Sequence, residues 1–339
     1  MKKILSICLC VVLCFSLVAC GKTETQPAND KETAKTLEKV SLGEVTHSVF
    51  YAPQYAAISL GFFEEEGIEI ELSNLQGADK VMSALLSNQI DIGFCGPEAS
   101  IYVYNEGRED YPQVFAQMTQ RDGSFLVGKD KVDKFEWNQL KGKTVIPGRR
   151  GGVPYMTFEH LLKEKGLNPE TDLVLDDSIQ FSLMAGAFSG SDAEYVTLFE
   201  PTASMIEAEG KGYILTSVGE ESGDIPYTAY CAKSSFITEN EELIEGFTKA
   251  IYKGLKWVEE HSSEEVAKTI LEHFPDTDVK MLASSVERYK SIDAWKTTPE
   301  MSQESFERLQ DIMEEAKELD TRAPFDKIVN NTYAEKVIK

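Results

Sequence analysis

The chain has 339 residues, of which 42% are hydrophobic and 27% charged, and its formal net charge is −23. This length and composition suit about two globular domains with a sizeable core. The charge argues against DNA or RNA as a partner, because a nucleic-acid-binding face needs clustered Lys and Arg. A pocket with local positive charge can still bind a small anion on an acidic protein.

The first residues predict a lipoprotein signal peptide over 1–19. A positively charged start precedes an apolar run that is short for a membrane-spanning helix and closes on Ala19-Cys20. This ending resembles a bacterial lipobox, in which Cys20 would carry the lipid and become the first mature residue. A plain secretory signal with an incidental cysteine is the alternative. Residues 20–41 are mostly polar and predict a flexible tether. We therefore expect an exported protein, lipid-anchored at the extracytoplasmic face of a bacterial cell membrane.

Three short apolar or β-branched runs, 45–50, 68–73 and 90–95, predict strands separated by helical stretches. The apolar spacing of residues 78–86 places one stripe on a helix. This alternation predicts a parallel sheet with helices on its faces. Run 68–73 alternates apolar with polar residues, which suits a sheet edge and places 45–50 beside 90–95. The crevice between the carboxyl ends of those two strands is then the predicted ligand site.

Two crossings between lobes are predicted further along the chain. The strands 112–119 and 124–128 are separated by a polar break, which is typical of a segment that passes from one lobe to another. A strand at 227–234 predicts the return crossing. The amphipathic helices that follow it complete the first lobe.

A second unit of strands and helices lies between the crossings. Its predicted strands are 143–146, 172–175, 194–199 and 212–217, and its predicted helices are 154–166, 180–188 and 202–209. We therefore predict an α/β fold with two lobes, each a mainly parallel sheet flanked by helices. Lobe I comprises 42–122 and 227–339, and lobe II comprises 123–226.

The folded part keeps two cysteines, Cys95 and Cys231, in apolar strand-like runs that are typical of buried thiols. Whether they interact stays open, and their spacing suits no metal site. The sequence contains neither a Gly-x-Ser-x-Gly elbow nor an HExxH motif. We therefore expect no cofactor, no bound metal and no catalysis.

Several stretches together resemble one known group of proteins. They are the lipobox, YAPQYAAISLGFFEEEGIEIEL, SNQIDIGFCGPEA, LKGKTVIPGRRGG and LFEPTASM. The chain, from its signal to about Ile251, resembles the periplasmic-type substrate-binding proteins of ABC importers, in the nitrate/sulfonate/taurine and thiamine-pyrimidine-precursor group. The resemblance implies a type II periplasmic-binding-protein-like clamshell, a monomer that closes on one small molecule and delivers it to a permease with its own ATPase. The pyrimidine synthases of that group carry a cysteine-rich run, which this chain lacks, so an enzyme on the same scaffold is a minor alternative.

The predicted site residues of lobe I follow the first and third strands. Aromatic side chains after the first strand would stack on a flat heterocycle, with a polar neighbour bonding its edge, although one tyrosine could instead pack under a helix. These residues are Ser48, Tyr51, Gln54 and Tyr55. After the third strand, the turn at Gly96 and Pro97 and the helix start that follows it offer backbone N–H groups, except at Pro97 itself, for an anionic or carbonyl oxygen. Glu98 would bind an amino group, or would merely suit the helix dipole.

Lobe II contributes a glycine-rich turn. Gly151 and Gly152 let the backbone approach a ligand, and Arg149 would bind an anionic group, with a surface salt bridge as the alternative. Whether Arg149 or Arg150 faces the cleft stays open. Arg121 would touch the ligand or pair across the hinge. The remaining predicted site residues are Tyr155, Glu200 and Tyr227.

The tyrosines and mixed charges of this lining favour a thiamine-type pyrimidine precursor or a similar nitrogen heterocycle. A sulfonate, taurine or nitrate anion is the alternative, supported by the helix N-termini and by Arg149.

Overall fold

The computed structural model describes residues 37–339. The predicted signal peptide, most of the predicted tether and Cys20 lie outside the described residues. Among the described residues, no helix has the length and apolar character needed to cross a membrane.

The strands and helices alternate along most of the chain. The strands are β1 Glu38–Glu44, β2 Ile68–Asn74, β3 Ile92–Cys95, β4 Pro112–Thr119, β5 Ser124–Gly128, β6 Thr144–Ile146, β7 Val174–Leu175, β8 Tyr195–Phe199, β9 Tyr213–Ser217 and β10 Thr228–Lys233. The helices are α1 Ala52–Ser59, α2 Phe62–Glu65, α3 Ala78–Leu86, α4 Glu98–Asn105, α5 Val153–Glu164, α6 Met184–Gly190, α7 Thr202–Ala208, α8 Val218–Ser222, α9 Ser234–Glu239, α10 Glu241–Glu260, α11 Ser263–Ile270, α12 Val279–Ser291, α13 Gln303–Glu315, α14 Phe325–Ile328 and α15 Thr332–Val337.

The described residues form two five-stranded sheets, one in each lobe, with matching strand order. The first sheet has the order β2-β1-β3-β10-β4 and the second β7-β6-β8-β5-β9. In each sheet one strand, β10 or β5, runs antiparallel to both of its neighbours, while the other strands share a direction. The predicted mainly parallel sheets are therefore confirmed, as is the edge position of the strand at 68–73.

The predicted first strand at 45–50 is wrong, because the strand is β1, Glu38–Glu44. Val40 and Leu42 point into the core, and β1 pairs with both β2 and β3. The apolar residues that follow are buried as well, but Val49–Tyr51 forms a 3-10 turn that Ser48 caps by accepting a hydrogen bond from the Phe50 N–H at 3.1 Å.

The same strand shortens the predicted tether of 20–41, because residues 38–41 belong to the sheet. Lys39 looks like a linker residue in the sequence. In the structure it lies opposite Glu69 on the neighbouring strand β2 and bonds Glu71 at 2.5 Å. This cross-strand pairing of opposite charges allows a polar segment to form an inner strand.

The helix predicted at 180–188 divides into a 3-10 turn, Phe181–Leu183, followed by α6. The other predicted strands and helices of lobe II appear with small changes at their ends. Cys95 and Cys231 are free and buried, and the neighbouring Cys231 thiol, together with burial, raises the pKa of the Cys95 thiol well above its usual value.

The C-terminal helices contact both lobes. Helices α10 and α15 pack against lobe I, where α10 contacts α1 and α15 contacts β4. Helix α13 contacts α5 of lobe II, and α12 contacts the turn at Val49–Tyr51. Because they contact both lobes, these helices hold the two sheets next to each other.

Candidate functional site

The two lobes face each other across a cavity of about 70 Å³, which we call the inner cavity. Lobe I lines it with the loop after β1 and the starts of α3 and α4, and lobe II lines it with the turn after β6 and the end of β8. Beside it lies a wider groove of about 1030 Å³, the outer groove, bordered by α3, α4, residues 149–151 and residues 318–321. Asp79, Glu98 and Arg149 line both spaces.

Part of the predicted site surrounds the inner cavity. The predicted residues that line it are Tyr51, Gly96, Glu98, Arg149, Gly152 and Tyr227. Gly151 lines the outer groove. Pro97 is the N-cap of α4 and does not line either space.

Gln54 and Tyr55 do not face the cavity, contrary to the prediction. Both donate hydrogen bonds of 2.9 Å to the Glu44 carboxylate, which is fully buried at the end of β1. His47 contacts the same carboxylate through Nδ1 at 2.8 Å. A buried charge needs several partners, and α1 supplies two of them at these positions.

His47 is part of this network at both ring nitrogens. Its Nε2 lies 2.6 Å from the carbonyl oxygen of His273, and its Nδ1 lies 2.8 Å from the Glu44 carboxylate, so each ring nitrogen faces an oxygen that can accept a hydrogen bond. Burial lowers the pKa of His47, but the hydrogen bonds to Glu44 and His273 outweigh it and raise the pKa overall.

Ser48 and Glu200 connect the lobes instead of lining the inner cavity. The Ser48 hydroxyl and the Val49 N–H both donate to the carbonyl oxygen of Glu200, at 2.5 and 3.1 Å. The Glu200 carboxylate accepts from the Ser204 hydroxyl at 2.9 Å and forms an ion pair with Arg288 of α12. We call this set of contacts the hinge cluster.

Two more predicted residues have partners outside the cavity. Arg121 donates to Asp224 at 2.9 Å, which is the hinge alternative for this residue. Tyr155 accepts a hydrogen bond of 2.7 Å from Arg150, and Arg150 also bonds Asp177 at 2.8 Å. Arg150 is therefore directed away from the inner cavity, and Arg149 is the arginine that lines it.

Glu98 is the polar group at the centre of the site. Its side chain is 2% exposed, and its Oε1 accepts a long hydrogen bond of 3.4 Å from the Val153 N–H of lobe II. Its Oε2 has no hydrogen-bond partner within the described chain. Burial raises the pKa of Glu98 to about 7, although backbone N–H groups and Arg149 oppose the shift.

Gly96 makes room for that carboxyl group. A Cβ atom at position 96 would lie 1.9 Å from Oε2 of Glu98, which is far inside contact distance. Only glycine therefore lets the Glu98 side chain fold back over the end of β3, against the inner cavity.

Aromatic rings form much of the remaining wall. Tyr51, Phe181, Phe199 and Tyr227 all line the inner cavity, and the rings of Phe181 and Phe199 lie 5.5 Å apart. The sequence reasoning missed Phe181 and Phe199. Phe199 ends β8, and that strand-end position was the available signal.

Two contacts at exposed or half-buried side chains join the lobes beside the inner cavity, and we call them the mouth contacts. Asp79 of α3 lies 3.9 Å from Arg149, and the Tyr102 hydroxyl donates to the carbonyl oxygen of Gly151 at 2.9 Å. The bond from Val153 to Glu98 also joins the lobes, but it lies at the buried centre of the site and is not one of the mouth contacts. Asp79 was also missed, although it is an acid in the first turn of a helix that begins near a predicted strand end.

Two lobes with matching sheets, two crossings and a cavity between the strand ends define the periplasmic-binding-protein fold. The alkanesulfonate-binding protein SsuA from Xanthomonas axonopodis pv. citri, bound to MOPS, has this fold too. It superposes with a TM-score of 0.70 and 14% identity, over 86% of this chain and 98% of that one.

The chain matches the NMT1-like family over residues 33–272 and belongs to that family. It is 44% identical to the "Putative binding protein YtlA" of Bacillus subtilis, over 96% of this chain and 95% of that protein. It is 22% identical to the riboflavin-binding protein RibY of Chloroflexus aurantiacus, over 75% of this chain and 74% of that protein.

Proposed function

We propose that this protein is an extracytoplasmic solute-binding protein that delivers its ligand to an ABC importer, and that the ligand is a flat nitrogen heterocycle such as a thiamine-type pyrimidine precursor. The observation that carries the proposal is Glu98, a buried carboxyl group with an unpartnered oxygen beside an aromatic cavity. Ring nitrogens and amino groups would satisfy that oxygen, since a buried polar atom is costly without a partner.

The ring walls support a flat ligand. Aromatic side chains bind flat rings by offset stacking or edge contacts, and Tyr51, Phe199 and Tyr227 all line the cavity. The relative RibY is named as a riboflavin-binding protein, and the ring system of riboflavin is itself a flat nitrogen heterocycle.

A sulfonate, taurine or nitrate ligand is the second candidate, because Arg149 lines the cavity and the likeness to SsuA supports it. Two features argue against an anion. Arg149 already faces the Asp79 carboxylate at 3.9 Å, and Glu98 would repel an anion whenever it is ionised.

The size of the inner cavity indicates that the lobes must separate for binding. A cavity of about 150 Å³ holds benzene in an engineered protein, whereas the inner cavity measures about 70 Å³. We therefore propose that the mouth contacts break when the lobes open and that a ring-sized ligand then enters. When the lobes close, the bound ligand contacts both of them.

Two further parts of the proposal concern chemistry and location. The protein binds its ligand without converting it, and a lipid on Cys20 anchors it to the membrane. Recovery of the bound compound unchanged after prolonged incubation tests the first part. Release of a Cys20→Ser variant from the membrane fraction tests the second.

Calorimetry with the purified protein separates the ligand classes. We expect heat from an aminopyrimidine or from riboflavin, and a loss of at least about tenfold in affinity, equal to about 1.4 kcal/mol, in Glu98→Gln. Heat from taurine or nitrate alone, with Glu98→Gln binding at least as tightly as the native protein, would establish the anion candidate instead.

A further inference from the structure

The outer groove is a second polar space that adjoins the inner cavity and is much larger. It measures about 1030 Å³, against about 70 Å³ for the inner cavity, and Glu98 lines both. Because Glu98 lines both spaces and its Oε2 has no hydrogen-bond partner, a ligand that bonds this carboxyl group in the inner cavity can extend into the groove.

The positive charges at this groove already have acidic partners. Arg149 faces Asp79 at 3.9 Å and Arg150 bonds Asp177 at 2.8 Å. Arg108 lies 3.5 Å from Glu106. These pairs leave little free positive charge for an anionic group in the groove.

Two acidic residues at the groove, unlike its arginines, have no partner of opposite charge in the described chain. Glu318 and Asp320 line it and form no ion pair with any Lys, Arg or His of the described chain. Glu318 is half-buried and lies against the turn at Gly151, where its Oε2 is 3.3 Å from the position that a Cβ of residue 151 would occupy. Its carboxylate therefore stands next to the lobe II side of the mouth contacts.

We propose that the ligand has a second, cationic part: an amino- or ammonium-bearing tail that lies in the outer groove and is bound by Glu318 and Asp320, while the ring contacts Glu98. This inference rests on the proposed function, because it takes the heterocycle in the inner cavity as given. The small volume of the inner cavity leaves space for a tail only in the groove. Because the Glu318 and Asp320 carboxylates form no ion pair, they favour a positive charge at the end of the ligand's tail.

The test compares matched probes by calorimetry: an aminopyrimidine, and derivatives of it with an aminopropyl, hydroxypropyl or carboxyethyl tail. We expect the aminopropyl compound to bind about three- to tenfold tighter than the compound without a tail, with a gain that shrinks at high salt. We expect the hydroxypropyl tail to add little and the carboxyethyl tail to weaken binding.

Variants identify the groups responsible. Glu318→Gln combined with Asp320→Asn should abolish the gain from the aminopropyl tail and leave the affinity for the tail-less compound unchanged. Glu307→Gln, which removes an exposed acid of α13 outside the groove, should keep the gain.

The outcomes separate this inference from the proposed function. If the tail-less aminopyrimidine binds but the aminopropyl tail adds nothing, or if the carboxyethyl tail adds affinity, the cationic-tail inference is wrong and the heterocycle proposal stands. If neither aminopyrimidine nor any derivative binds, both proposals are wrong.

Discussion

The hinge cluster and the mouth contacts both join the lobes, but they differ in burial. The hinge cluster is deep: Glu200 is 0% exposed, and Tyr289 accepts from the Glu200 N–H and donates to the carbonyl oxygen of Gly123, both at 2.9 Å. At the mouth contacts, the Asp79 and Arg149 side chains are 55% and 53% exposed and lie 3.9 Å apart.

This difference explains how a clamshell can open without coming apart. Breaking a buried hydrogen bond leaves polar groups without partners in the core, whereas the partners of an exposed ion pair return to water at little cost. The lobes should therefore remain attached at the hinge cluster and separate at the mouth contacts.

The largest effect should come from the hinge cluster. Arg288→Ala leaves the buried Glu200 carboxylate without its cation, and we expect the free energy of unfolding to fall by about 2–4 kcal/mol, because an unpaired buried charge is strongly unfavourable. Chemical denaturation measures the change. Arg322→Ala, which breaks exposed ion pairs with Asp311 and Glu314, is the matched control and should cost about 1 kcal/mol or less. Equal effects of the two variants would remove the distinction between the hinge and a surface pair.

The next effect concerns Glu98 and pH. Its pKa is about 7 in the folded chain against 4.5 for a free carboxyl of this type, so between these values the folded state binds more protons than the unfolded state. The free energy of unfolding should therefore fall as the pH rises through that window, by about 3 kcal/mol in total from this group. Denaturation at several pH values should show a flatter profile for Glu98→Gln. The exposed control Glu242→Gln should keep the native slope, and a Glu98→Gln profile identical to the native one would contradict the assignment.

A smaller change in stability, with a large change in binding, is expected for Gly96→Ala. The added Cβ would overlap the Glu98 carboxyl, so the side chain must leave its position. We expect a loss of about 1–3 kcal/mol in stability and at least a tenfold loss in ligand affinity. Gly186→Ala, where a Cβ meets no atom within 4 Å, is the control. Native ligand affinity in Gly96→Ala would show that the placement of Glu98 does not matter for binding.

The smallest effect on stability should come from the mouth. Asp79→Asn removes an exposed pair, so the free energy of unfolding should change by less than about 1 kcal/mol. The rate of ligand dissociation should nevertheless rise several-fold, because the closed form loses one of its bridges. Stopped-flow measurements test this, with the exposed neighbour Lys80→Gln as control. An unchanged dissociation rate would mean that the mouth contacts do not govern opening.

Much of the fold could be predicted from the sequence because its signals are local. Strands β4 and β5 have the predicted bounds, since each is a short apolar run ended by polar or glycine residues. Strand β1 was missed because its polar residues, such as Lys39, pair with charged residues on β2. Lys39 and Glu69 are thirty residues apart in the sequence, roughly ten times the separation of neighbouring side chains on a helix. A pairing between segments so far apart cannot be recognised from the sequence of either segment alone.

The candidate site, like the fold, was predicted correctly in some parts and wrongly in others. Glu98 and Arg149 were predicted because they follow strand ends, and Tyr51 because it follows the predicted strand at 45–50, which is a 3-10 turn at Val49–Tyr51 in the structure. The structure nevertheless brings all three residues around one cavity. Gln54 and Tyr55 were predicted from the same stretch, but they lie on α1 and bond the buried Glu44, whose burial the sequence does not reveal.

The most direct test is a crystal structure of the protein with a bound aminopyrimidine. We predict closed lobes, with the ring between Tyr51 and Phe199 and a ring nitrogen or amino group within hydrogen-bond distance of Oε2 of Glu98. A ligand bound outside the inner cavity, or an anion on Arg149 with Glu98 uninvolved, would contradict the account.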